Sequence, residues 1–271
     1  MATRLFEERG HVAFYQKYRF SPQENLQAAI FSYLEKKGAN TFRLAVDVGC
    51  GSGQSTWVLA SRFEKVVGTD ISEAQIEAAK QAAHPPNISY LVCPAEDLPF
   101  EDASVDVITA FAAAHWFGVS RFMGEVDRVL KPSGCVAFSS YSRDLRLLYK
   151  DCSEALTEIF KEALELLLPY TDEKLGIVEK EYQEIFDSLP FRDKERITDV
   201  FDKVPMSVAD VMGFFQSFSM YQRFLKVQPE AAKSFLQQTE QRILEAMGIS
   251  SRETQLELSM RQVCVLGCKS S

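Results

Sequence analysis

Apolar runs alternate with helical stripes through the first half of the chain. "LAVDVG" (44–49) is a short, β-branched run ending in glycine, the pattern of a strand buried on both faces. "SGQSTWVLASRF" then reads as a helix and "KVVGTD" (65–70) as a second strand. "SEAQIEAAKQAA" is a helix with Ser72 as N-cap. "ISYLVC" (88–93) and "SVDVITAFAA" (104–113) are strands. "GVSRFMGEVDRVLKPSG" is a helix stopped by Pro132 and Gly134, and "CVAFSSYS" (135–142) is a fifth strand. Ahead of them, residues 22–37 form an amphipathic helix with Ser21 as N-cap and Pro22 at its first position.

This rhythm implies a parallel, doubly wound sheet with right-handed crossovers. After residue 143 the texture changes. Residues 144–188 and 207–247 carry long helical patterns, with a strand near 194–204 between them. "TQLELSMRQVCVLGCK" alternates and reads as the last strand, seven in all. The expected organisation is one domain over residues 1–271. It comprises an N-terminal helical lid (1–40), a ligand-binding core (41–143), helical insertions around a late strand (144–250) and a final strand (251–271). The insertions would lie over the carboxyl edge of the sheet, where open α/β folds bind ligands.

Bulk properties narrow the function. The 271 residues are 46% hydrophobic and 25% charged, ordinary for a soluble globular chain. A net charge of −8 without a dense Lys/Arg run gives no footprint for nucleic acid. No segment has the apolar length of a signal peptide or a membrane span, so a cytoplasmic protein is expected. The six cysteines are scattered without a Cys-x2-Cys pair, which favours free thiols in a reducing compartment over a disulfide framework. Cys264 and Cys268 lack further ligands nearby, and no metal site is expected.

The chemistry is concentrated in "RLAVDVGCGSGQSTWVLASRFEKVVGTD" (43–70). Gly49, Gly51 and Gly53 give G-x-G-x-G rather than the dinucleotide G-x-G-x-x-G, and no Gly-Lys-Ser/Thr of a P-loop follows. Asp47, just before the loop, would repel a phosphate but suit an ammonium or sulfonium. Asp70 ends the second strand, where an acid accepts hydrogen bonds from both hydroxyls of a ribose. The ligand expected here is a nucleoside with a cationic tail: S-adenosylmethionine.

"VDVGCGSGQST" followed by "VVGTDIS" resembles motif I and its acidic successor in class I S-adenosylmethionine-dependent methyltransferases. "PAEDLPFEDASVDVITA" resembles the next two motifs of the ubiquinone-biosynthesis-methyltransferase-like branch, and "LKPSGCVAF" the segment entering the fifth strand. Together they cover residues 44–140. "FYQKYRFSPQENLQAAI", "AAAHWF" and "GFFQSFSMYQRFLK" resemble segments of the trans-aconitate-methyltransferase-like group, with Phe20 in place of a proline and Phe218 in place of a tryptophan. The resemblance implies a Rossmann-like seven-stranded α/β fold. It implies cofactor contacts from Asp47, Gly49, Gly51, Gly53, Asp70, Ile71, Ala95, Glu96 and Ala112.

On the acceptor side, His115 is a candidate base or hydrogen-bond donor after the fourth strand, with Trp116 as a pocket wall. Tyr15 and Arg19 on the N-terminal segment and Tyr221 in the helical insertion are further substrate candidates. Trp57 is expected in the core. The expected reaction is in-line transfer of the sulfonium methyl to a small molecule by a monomer or weak homodimer. A carboxylate acceptor would need no base; a phenol, amine or thiol would call on His115. A protein substrate, or a cofactor-binding module acting through a partner, stays open.

Overall fold

The structure is a computed structural model that describes residues 14, 16–37 and 43–270. Its strands are β1 (Leu44–Val48), β2 (Lys65–Asp70), β3 (Ile88–Val92), β4 (Val105–Phe111), β5 (Leu130–Leu148), β6 (Asp193–Ser207) and β7 (Gln255–Cys268). They form one sheet in the order β3-β2-β1-β4-β5-β7-β6. β1 to β5 pair in parallel, with Val46 opposite Val67 on one side and Ile108 on the other. β7 runs antiparallel to both β5 and β6. The strand order reverses at β1, which opens a crevice at its carboxyl end between β2 and β4.

The described helices are α1 (Glu24–Lys36), α2 (Glu73–Gln81), α3 (Val119–Val129), α4 (Ser153–Leu167), α5 (Gly176–Glu179), α6 (Gln183–Ser188), α7 (Val208–Ser217), α8 (Ser219–Val227) and α9 (Pro229–Met247). Alternation along each strand feeds two cores. Ala45, Val66 and Val107 pack with Leu26, Ile30 and Leu34 of α1 and Ile76 of α2. Val46, Ile108 and Phe138 pack with Phe122 and Val126 of α3 and Ile185 of α6. A third core joins Phe160, Phe214, Phe215, Phe235 and Ile243 of α4, α7 and α9 to Leu145, Leu147 and Leu258. No helix among the described residues is long and apolar enough to cross a membrane.

Five expectations are corrected. The helix after β1 is reduced to a 3-10 turn, Thr56–Leu59, and Trp57 lies at the surface with its indole N–H on the Tyr90 hydroxyl. The glycine, serine and threonine residues of this stretch compete poorly as helix formers, and Thr56 spends its hydroxyl on Asp47. β5 runs on to Leu148 through an irregularity between Tyr141 and Leu145, over residues whose texture suggested helix.

The cysteines are not all thiols. Cys135 and Cys268 face each other across β5 and β7 with Cα atoms 4.1 Å apart and form a disulfide. Cys50, Cys93, Cys152 and Cys264 are free. The bonded residues lie 133 apart in sequence, so no local spacing announces the pair. This bridge removes one premise for a reducing compartment.

Nor does Ser21 cap α1. The helix begins at Glu24, and Ser21 donates instead to the Gln54 carbonyl at 2.9 Å. The cap comes from the far end of the chain. Asp202 of β6 is buried and accepts from the backbone N–H groups of Asn25 (3.1 Å) and Leu26 (3.3 Å) and from the Gln262 amide (2.6 Å). A carboxylate on the first amides of a helix satisfies orphan donors and meets the positive end of its dipole. Asp202→Ala is expected to cost about 2–3 kcal/mol. Urea denaturation measures this, and hydrogen exchange at the Asn25 and Leu26 amides should quicken; an unchanged midpoint would deny the cap.

Candidate active site

The loop leaving β1 is left-handed at every second residue: Gly49, Gly51 and Gly53 have φ of +70°, +54° and +90°. Side chains are also excluded by space. A Cβ on Gly49 would lie 2.6 Å from the Ala113 Cβ, and one on Gly53 2.4 Å from the Tyr90 hydroxyl. Asp70, at the end of β2, holds the loop: its carboxylate accepts from Gly51 N and Ser72 N, both at 2.9 Å. After β3, Glu96 accepts from Gly118 N at 2.5 Å and ties that loop to the start of α3. Ala112, leaving β4, is itself left-handed at φ +50°.

A cavity of about 460 Å³ opens over this edge of the sheet. Gly49, Gly51, Asp70, Ile71, Ala95, Glu96 and Ala112 line one half, with Gln75, Cys93, Ala113 and Phe117. The other half is walled by the end of β5, by α4 and α5, and by the corner between α7 and α8. There Tyr141, Leu145, Leu164, Leu168, Leu175, Val178, Phe218 and Met220 make an apolar chamber with Arg19, His115, Trp116, Arg143, Lys161 and Glu165. The size is that of a ligand site rather than a packing defect.

Residues 46–138 match the family model described as a methyltransferase domain. A methyltransferase of Dictyostelium discoideum is 32% identical over 228 residues, covering 82% of each chain. The chain belongs to the class I S-adenosylmethionine-dependent methyltransferases. A Saccharomyces cerevisiae S-adenosylmethionine-dependent methyltransferase is 30% identical over 154 residues, 50% of this chain and 52% of that one. Among solved structures, one described as a type II methyltransferase from Anaeromyxobacter dehalogenans is 26% identical. It covers 89% of this chain and 97% of its own, with a TM-score of 0.70.

Three residues expected at the methyltransferase site stand elsewhere. Asp47 is fully buried, and its two oxygens accept from Thr56 Oγ1 (2.7 Å) and Thr109 Oγ1 (2.9 Å). It does not line the cavity, so its charge is not presented to a ligand; it braces the loop from beneath. Burial lifts its carboxyl to about 7 against the lowering effect of both threonines. Gly53 also faces away, against Tyr90. Tyr221 is buried in the helical core beside Phe235, and its neighbours Phe218, Ser219 and Met220 reach the cavity instead. Helical phase separates them: Tyr221 lies on the inward face of α8. Tyr15 lies outside the described residues.

His115 is 5% exposed, and its Nδ1 stands 2.8 Å from the Tyr182 hydroxyl. Burial first, then the positive charges of Arg19 and Lys174, push its pKa down to about 3. The imidazole is therefore neutral at any physiological pH and a poor base. Arg19 is set among the rings of Phe218, Phe214 and Tyr141, 5.0, 5.2 and 5.7 Å from their centroids. Lys174 donates to the Trp116 carbonyl at 2.6 Å. Arg143, Lys161 and Tyr182 carried no motif in the sequence, and only the folding of β5, α4 and the turn before α6 brings them here.

The His115 shift has a sign. Between pH 6.5 and about 3 the unfolded chain binds a proton at this position that the folded chain refuses. Its contribution to stability is whole above pH 6.5 and is lost as the pH falls toward 3. Wild type should thus lose more stability than His115→Asn between pH 7.5 and 5. Denaturant midpoints at both pH values measure this, and equal losses would mean an ordinary imidazole.

Proposed function

We propose that this methyltransferase esterifies a small acid, placing the methyl group of S-adenosylmethionine on a carboxylate oxygen. The observation that carries this reading is the charge around His115: a neutral buried imidazole flanked by the cations Arg19 and Lys174. An anion is the ligand such a site stabilises, and a carboxylate attacks carbon without giving up a proton. A phenol or amine acceptor would call for a base, which His115 at about 3 does not supply. Cys93 is no substitute, since burial raises its thiol to about 11.

The glycine loop and Asp70 fit the cofactor: left-handed backbone permits close approach, and a carboxylate that lines the cavity stands at the end of β2. Ile71, Ala95, Glu96 and Ala112 would complete the cradle. Bound S-adenosylmethionine supplies an electrophilic methyl carbon on a sulfonium, and departs as neutral S-adenosylhomocysteine. Arg19 and His115 would hold the acceptor oxygen in line. The apolar chamber would take the body of the acid and exclude water, while Arg143 and Lys161, paired with Glu179 and Glu158, border it.

The N-terminal segment supports the reading of a lid over both ligands. Gln54 of the glycine loop donates to the Gln16 carbonyl at 2.8 Å, and the Tyr18 ring packs directly on Gly213 of α7. A chamber walled by helices favours a small molecule over a polypeptide acceptor.

Two outcomes are expected. Asp70→Ala should weaken S-adenosylmethionine binding by about 1.5–3 kcal/mol, read by calorimetry; unchanged affinity in a folded variant would remove Asp70 from the site. Across a panel of apolar acids, phenols, amines and peptides, methyl transfer should fall on the acids. Products should be base-labile esters, and kcat should have no limb near pH 6.5. Arg19→Gln should raise the KM of the acid by about tenfold or more. Turnover of amines or phenols alone would overturn the carboxylate reading.

A further inference from the structure

Tyr182 is a buried aromatic that the cofactor motifs do not explain. It is 0% exposed, and it follows Glu181 in a turn where both residues are left-handed, at φ +52° and +57°. Two consecutive non-glycine residues in this region cost energy that surrounding contacts must offset. Those contacts come from the antiparallel end of the sheet. Arg196 of β6 donates to the Glu181 carbonyl at 2.9 Å, and Arg261 of β7 pairs with the Glu181 carboxylate. Arg261 is fixed in turn on the Thr198 carbonyl at 2.8 Å. Tyr182 N donates to the Ile177 carbonyl at 3.1 Å. The strained turn thus brings the Tyr182 hydroxyl 2.8 Å from His115 Nδ1.

A phenol O–H donates well, and a neutral imidazole nitrogen accepts well. With Nδ1 accepting, the ring proton must reside on Nε2, the nitrogen left for the chamber that His115 lines. We infer that Tyr182 is a positioning residue: its hydroxyl donates to His115 Nδ1, fixes the Nε2–H tautomer, and so presents an N–H donor to the acceptor. The benefit to the acceptor rests on the carboxylate reading, because a donor beside Arg19 gains most from an oxygen anion. The tautomer itself does not.

Nitrogen NMR on protein labelled with ¹⁵N-histidine separates the two. The chain has three histidines, and His115→Asn identifies the signals of His115. Wild type should show Nε2 protonated and Nδ1 bare. Tyr182→Phe keeps the ring and loses the hydroxyl, and should shift population toward the Nδ1–H form. Its KM for an acid substrate should rise about tenfold with kcat nearly unchanged. A protonated Nδ1 in wild type overturns the inference whether or not the variant folds. So does a variant with unaltered tautomer. A shifted tautomer in an enzyme that methylates no acid sustains the role of Tyr182 and defeats the carboxylate reading instead.

Discussion

A buried carboxylate at the end of β1 sets the geometry on which the site depends. Asp47 takes the hydroxyl of Thr109 from β4 on one oxygen and that of Thr56, beyond the glycine loop, on the other. The three residues span the point where the strand order reverses, so one side chain fastens β1 to its neighbour and fixes where the loop returns. With both ends of the loop held, Gly49, Gly51 and Gly53 take left-handed backbone that no other residue tolerates well. Asp70 closes the arrangement from β2 by accepting the Gly51 amide. Neutralising burial by hydroxyl donors alone leaves Asp47 costly to ionise, which is why its pKa rises.

The two halves of the cavity obey different electrostatic rules. Around the glycine loop the charged groups are acids, Asp70 and Glu96, whose oxygens are already partly engaged by backbone amides. Across the crevice Arg19 stands among aromatic rings, Arg143 pairs with Glu179 and Lys161 with Glu158, and Glu165 lines the same wall. Little of this polarity follows from the net charge of the chain, because it arises from where a few side chains are placed.

The fold around the glycine loop was legible because its elements are local. Each strand of the parallel unit is a short apolar run, each turn carries its own glycine or cap, and Asp70 lies a fixed distance beyond Gly49 along the chain. The acceptor half was not. Asp202 caps a helix that begins at Glu24, and Tyr182 reaches His115 only through a turn held by Arg196 and Arg261. Helical periodicity identified the insertions but not their phase, so Tyr221 was expected where Phe218 and Met220 stand. Asp47 was placed correctly in sequence and misread in space, since alternation says nothing about hydroxyls arriving from two other segments. The Cys135–Cys268 bridge was missed for the same reason: its two halves meet only through β5–β7 pairing.

That pairing also orders how the molecule can come together during synthesis. β7 is the last of the seven strands in chain order, yet it is an interior strand, wedged between β5 and β6. The parallel unit from β1 to β5 can pair as it emerges. β6 cannot join it, because β7, its only strand partner among the described residues, has yet to be made. Until β7 arrives, β5 and β6 each present a row of unpaired amides and carbonyls, the kind of edge that recruits foreign strands. A nascent chain halted just before residue 255 would hold the glycine loop and Asp70 in a parallel unit, beside helices that still lack β7 to pack against, with open edges for chaperones to shield.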